Sequence, residues 1–145
     1  MGNVNYGRLI AGAVVAAVFY FIADGIIHGP LLGNYHMQAI SRAGYPLTAD
    51  NTAFVYFGLF DLGKGLVTML IYVAARVPCK PGPKTAMVAG LIAWLAIAVL
   101  PSLEWMPFPF YDKSFWVKVI ALELLPMVIG AVLGAWVYRD VNRES

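Results

Sequence analysis

Charge is scarce in these 145 residues: Asp, Glu, Lys and Arg together make up 12% of the chain, about half the share of an ordinary soluble domain. Cysteine is scarcer still. Cys79 stands alone, which excludes an internal disulfide framework and any cysteine-rich metal site. No basic tract is present, and the formal charge of +2 is scattered along the chain, so a nucleic-acid partner is excluded. Nucleophile elbows, H-E-x-x-H pairs and C-x-x-C-H haem sites are missing too, leaving nucleophilic, zinc-hydrolytic and haem chemistry without a motif. Ser41, Ser102 and Ser114 read as caps and turn formers of loops rather than as nucleophiles. What the chain has in abundance is apolar surface. Hydrophobic residues reach 61% and mean hydropathy is +0.73, more than so small a fold can hide from water.

A bilayer can take that surface if it comes in runs of about 20 residues. Four such runs exist, at 9–27, 53–77, 85–103 and 115–138. Gly29-Pro30 ends the first, Asp50 and Asn51 offer caps for the second and Pro78 closes it, while Pro101 interrupts the third. A cleaved signal peptide is the other reading of the first run, but its apolar stretch is long for one and no convincing cleavage site follows. The fold expected is therefore all-α, an integral-membrane four-helix bundle with up-down-up-down order. Arg8, Arg76, Lys80, Lys84, Arg139 and Arg143 fall on one side and only Arg42 and Lys113 on the other. Both termini are therefore expected in the cytoplasm of a bacterial inner membrane, with Cys79 in a reducing turn. Trp105, Phe108, Phe110, Tyr111, Phe115 and Trp116 read as an outer aromatic belt, and Trp136 with Tyr138 as its inner counterpart. Between the first two runs, Leu32, Tyr35, Ala39, Ile40 and Ala43 share a helical face opposite Asn34, Gln38 and Ser41. This predicts a short interfacial helix begun by Pro30 and stopped by Gly44 and Pro46, with His36 towards its apolar side.

Small residues four apart permit close helix approach in lipid. Gly12 with Ala16, Ala86 with Gly90, Ala89 with Ala93, and Gly130 with Gly134 are such pairs. They serve either packing inside one bundle or a seam for a second copy or a foreign subunit. Ionisable residues within the runs are costlier, about 2.5–3.5 kcal/mol each on insertion scales. Tyr20, Asp24 and His28 follow at i+4 on the first run; Asp61 and Lys64 lie on the second, Lys118 and Glu123 on the fourth. Counting 1.5 Å per residue puts Asp61 and Glu123 each about 12 Å below the outer helix ends. A polar cluster of Tyr20, Asp24, His28, Asp61, Lys64, Lys118 and Glu123 is thus expected in the outer half, above a dry half of small residues. Lys64 paired with Asp61 or Glu123 would fix helix register. Used instead for transport, Asp61 or Glu123 would carry a proton or cation, with Pro126 freeing the Leu122 carbonyl beside Glu123. Asp24, His28 and His36 are the candidate metal ligands, although they are few and dispersed.

The stretches NYGRLIAGAVVA, GPKTAMVAGLIAWLAIAVLPSL and GAVLGAWVYRD resemble a group of small bacterial four-helix membrane proteins. DGIIHGPLLGNYHM is similar to the DUF1761-type proteins. The resemblance implies a bacterial inner-membrane four-helix protein and brings no activity, cofactor or site residue with it. With almost no soluble mass and no catalytic motif, the function expected first is a non-enzymatic subunit or scaffold of a larger or homo-oligomeric complex. No cofactor is expected beyond bound membrane lipid. An oligomeric proton- or ion-coupled transporter or channel using Asp61, Lys64 and Glu123 is the alternative, and metal binding at Asp24, His28 and His36 a further one.

Overall fold

The structure, a computed structural model, describes residues 4–44 and 52–138. Pro46, the capping candidates Asp50 and Asn51, and the tail cations Arg139 and Arg143 lie outside them. Among the described residues helices are the only regular structure: α1 (Tyr6–Ile26), α2 (Gly33–Arg42), α3 (Thr52–Cys79), α4 (Pro83–Trp94), α5 (Leu100–Trp105) and α6 (Lys113–Val137). Four continuous helical stretches are long and apolar enough to cross a membrane, Tyr6–Leu31, Thr52–Cys79, Pro83–Trp105 and Lys113–Val137. This is a multi-pass membrane protein by length and composition.

The first three spans run past the apolar runs that announce them at both ends, and the fourth at its start, for local reasons. Asn5 caps α1, its side chain accepting the Arg8 N–H at 3.1 Å, which starts the helix ahead of the apolar residues. Pro30 does not begin the short helix. It sits inside a π turn, Ile27–Leu31, that prolongs α1, with Leu32 N–H donating to Ile27 O at 2.8 Å. A second π turn, Leu95–Val99, precedes Pro101. Proline cannot donate to the carbonyl four residues back, so the wider i→i+5 pattern takes over beside it. Pro78 does not close α3, which continues to Cys79. Its end comes at Lys80, whose φ of 65° is left-handed, and the Thr85 hydroxyl donates to Lys80 O at 2.7 Å across the turn.

The spans form a ring in which α1 packs on α3 and α6, and α4 packs on α3 and α6. Small residues set the separation. A Cβ on Gly12 would lie 2.6 Å from Gly134 O, and one on Gly90 2.8 Å from Met127 O. Gly65 meets the Ala13 backbone and Gly130 the Tyr20 ring at contact distance. Ala16, Ala86, Ala89 and Ala93 are fully buried. The small-residue pairs of the first, third and fourth runs therefore pack the interior of a single chain.

The aromatics divide differently from a simple belt. Trp105, Phe108 and Phe110 form one exposed group with ring centroids 5.6–6.2 Å apart. Phe115 is buried; it stacks on Tyr111 at 4.1 Å and, with Leu32 and Ile27, forms the layer on which α2 rests. Trp136 is exposed, but Tyr138 is buried against Tyr72 and under Arg76, and its hydroxyl accepts the Asn5 N–H. Long amphipathic rings serve either place, and it is their neighbours that decide.

Candidate functional site

Four elements bring ionisable side chains together at the α2 end of the bundle. Lys64 of α3 is the centre, its side chain 3% exposed. Its ammonium donates to Asp24 Oδ2 at 2.7 Å and to Glu123 Oε2 at 3.3 Å, and lies 3.6 Å from Asp61 Oδ1. Asp61 is one turn from Lys64 on the same helix, Asp24 comes from α1 and Glu123 from α6. The helix registers make this meeting possible. As position rises along α1 through Gly12 and Tyr20 to Asp24, the facing α6 positions fall from Gly134 through Met127 to the level of Glu123.

Three carboxyl groups thus face one ammonium. Asp24 Oδ1 and Asp61 Oδ1 are buried with no hydrogen-bond partner among the described residues, because Lys64 has only three protons and spends none on them within bonding distance. Electrical balance requires two protons on the acids, or further positive charge brought in. Ions removed from water are stable only when so compensated.

Beneath the cluster the bundle closes. Tyr20, fully buried, donates to Met127 O at 3.1 Å and lies 3.4 Å from Thr68 Oγ1. Its ring centroid is 5.2 Å from the Lys64 nitrogen. Below it, Met69, Ala16, Ala93 and Met127 are all fully buried.

On the other side a chain of hydrogen-bonding groups leads outward. Glu123 Oε1 lies 3.7 Å from His28 Nε2, an ion-pair distance longer than a hydrogen bond. His28 Nδ1 and His36 Nε2 are 3.1 Å apart, and His36 Nδ1 is 3.0 Å from the Tyr111 hydroxyl. One tautomer assignment satisfies every link with both imidazoles neutral. Tyr111 O–H donates to His36 Nδ1, His36 Nε2–H to His28 Nδ1, and His28 Nε2–H points at Glu123. Burial, and then the facing His28, push the His36 imidazole below its ordinary value. Burial likewise pushes the Tyr111 phenol up. Both shifts keep these groups neutral and able to donate and accept.

Lys118 is not part of the cluster. It is exposed, and its ammonium donates to the Tyr35 hydroxyl at 2.9 Å, which holds that phenol below its ordinary value. Nor do Asp24, His28 and His36 form one ligand set, since Asp24 pairs with Lys64 while the histidines pair with each other. Among the described residues no group of three or more His, Cys, Asp or Glu is placed to hold a metal ion. Tyr111 is the member missed from sequence, where it reads as one aromatic of a belt. Comparison with known proteins finds no matching family model, curated sequence or solved structure.

Proposed function

We propose that this protein carries protons, or a cation exchanged for them, between its buried acid cluster and one face of a membrane. The observation that carries the reading is the series Lys64, Glu123, His28, His36, Tyr111, hydrogen-bonded at every step but the 3.7 Å ion-pair step from Glu123 to His28, which joins an acid-rich interior to the surface near α2. Chains of Glu and His within spans are the usual means of relaying protons through lipid. A proton entering at Tyr111 reverses each donor in turn and arrives on Glu123, where Lys64, Asp24 and Asp61 share the charge. Tyr20, Met69 and Met127 bar the opposite exit, so access is one-sided and passage requires the helices to yield. Pro126, three residues beyond Glu123, and the π turn at Leu95–Val99 are the weak points where they can.

The setting is an up-down-up-down bundle, supported by the facing registers and by the three-residue link between α3 and α4. It lies in a bacterial inner membrane, with both termini cytoplasmic and α2 along the outer surface. The half-buried side of α2, at Tyr35, His36 and Ala39, rests on the bundle while Asn34, Gln38 and Ser41 are exposed. Membrane lipid covers the exposed apolar rim. A subunit or homo-oligomer role would need an interface on that rim, because the small-residue pairs are occupied within the chain.

The test is a pH gradient across proteoliposomes, followed with a trapped dye. The wild type is expected to dissipate it. Glu123→Gln, which keeps shape and removes the exchangeable proton, should reduce the rate at least about a hundredfold, the lower end of the span ascribed to one positioned acid–base group. Equal rates for the two proteins would reject the reading.

A further inference from the structure

We propose that the recess between α1 and α3 is a binding site for a monovalent organic cation with a bulky apolar or aromatic body. The recess has a volume of about 720 Å³, within the range of sites that enclose drug-sized molecules. Its walls are aromatic: Phe21 from α1, and Phe54, Phe57 and Phe60 from α3. At its floor are Asp24 and Asp61, the two acids whose Oδ1 atoms are buried without a hydrogen-bond partner among the described residues. Asp61 is 2% exposed. Asp61 Oδ1 has the Lys64 ammonium at 3.6 Å, beyond hydrogen-bond distance, so each of the two buried oxygens still lacks a donor.

The lining selects the class of ligand. A bare metal ion needs four or more N, O or S donors, and this recess offers two carboxylates beside phenyl rings, with no metal-ready group among the described residues. An anion would meet the excess of acid. A neutral lipid tail would suit the rings and leave the carboxylates unsatisfied. An organic cation satisfies both, its charge against Asp24 and Asp61 and its body against ring faces that attract cations. Phe60 already has the Lys64 ammonium 5.7 Å from its ring centroid. The other titratable groups lining the site are His28 and His36, with Lys64 against Asp24 and Asp61, and Glu123 against Lys64. Lys64 reaches it from behind, already engaged by Asp24 and Glu123. The proposal takes from the proton-carrying reading only the charge balance of the cluster, and adds the class of cation that supplies one of the two missing positive charges, a proton on the acids supplying the other.

Calorimetric titration of the full chain in dodecyl maltoside, an uncharged detergent, tests this with tetraphenylphosphonium as probe. Triphenylphosphine oxide, neutral and of similar bulk, is the comparison. The phosphonium is expected to bind saturably, at least about tenfold more tightly than the oxide, as one good charge–aromatic site affords. Asp61→Asn should weaken it by a similar factor. Gly25→Leu is the second variant: a Cβ at Gly25, on the wall of the recess, meets nothing within 4 Å. Leucine therefore fills the site without disturbing the helix contacts, and should abolish binding while the thermal midpoint of the protein is kept or raised. Equal affinity for the oxide, or undiminished binding by Gly25→Leu, overturns the proposal. Displacement of the phosphonium by added phosphatidylethanolamine also overturns it, by assigning the recess to a lipid headgroup. Calorimetry reads occupancy and not proton movement, so failure here and failure of the flux experiment are separate results.

Discussion

At the scale of residues, His36 is the most exposed to pH of the groups that join α2 to the bundle. It is half-buried, faces His28, and has its imidazole pushed below the ordinary value of about 6.5. A depressed histidine binds its proton less readily when folded than when unfolded. Its contribution to docking is therefore complete above about pH 6.5 and is lost as pH falls through the lower folded value. Protection of the amides across 33–42, taken relative to the intrinsic exchange rate at each pH, should fall between pH 7 and pH 5, and His36→Gln should flatten that dependence; an unchanged profile in the variant would refute the assignment. Much of this site was legible from residue spacing. Counting rise per residue already sets Asp61 and Glu123 at one depth, with Lys64 near them. Lys118 was misplaced for a reason the same geometry contains: five residues from Glu123 is about 140° around the helix, a different face. Spacing places Asp24 both in the polar cluster and, with His28 and His36, among the candidate metal ligands, because i+4 spacing alone does not say which neighbour it pairs with. Its partner Lys64, 40 positions away, is visible only once helices are packed. Tyr111 follows no period, being in a connection, and no spacing rule could have found it.

Helices and their turns show the same division between local and long-range information. The four spans were legible because about 20 apolar residues in a row have one common meaning. Their ends were not, since Asn5, Pro30 and Pro78 each admit two outcomes and neighbouring hydrogen bonds choose between them. Small residues were visible as pairs, but which helix each pair meets was not. The resulting contacts make contrasting predictions for two glycines of one helix. Gly12 faces Gly134 O across the α1–α6 crossing, with a Cβ there only 2.6 Å away. Gly12→Ala must push the backbones apart and is expected to cost about 1–3 kcal/mol, the range for overpacking. Gly25 has open space around it, and Gly25→Ala is expected to stabilise by up to about 1 kcal/mol through helix propensity. Denaturation of both variants in the same detergent checks the pair. Equal shifts would mean that α1 and α6 do not cross at Gly12.

Taken whole, the molecule is polarised along the bundle axis. One end holds the acid cluster, the two histidines and α2; the other holds Tyr72, Tyr138 and a close-packed alanine core. Cationic residues are distributed with the same bias, Arg8, Arg76, Lys80 and Lys84 at the alanine end against Arg42 and Lys113 at the α2 end. Positive flanks stay in the cytoplasm, so the Tyr111 mouth of the relay should open outward, where a proton gradient would load it. The chain provides its own reporter of this orientation. Cys79 is the sole cysteine, is exposed, and ends α3 next to the basic turn. With the protein expressed in a bacterial inner membrane, a membrane-impermeant maleimide should leave Cys79 unlabelled in intact spheroplasts. The same reagent should label it in inverted vesicles and after detergent. Labelling in sealed spheroplasts would turn the bundle over and place its Tyr111 end on the cytoplasmic side.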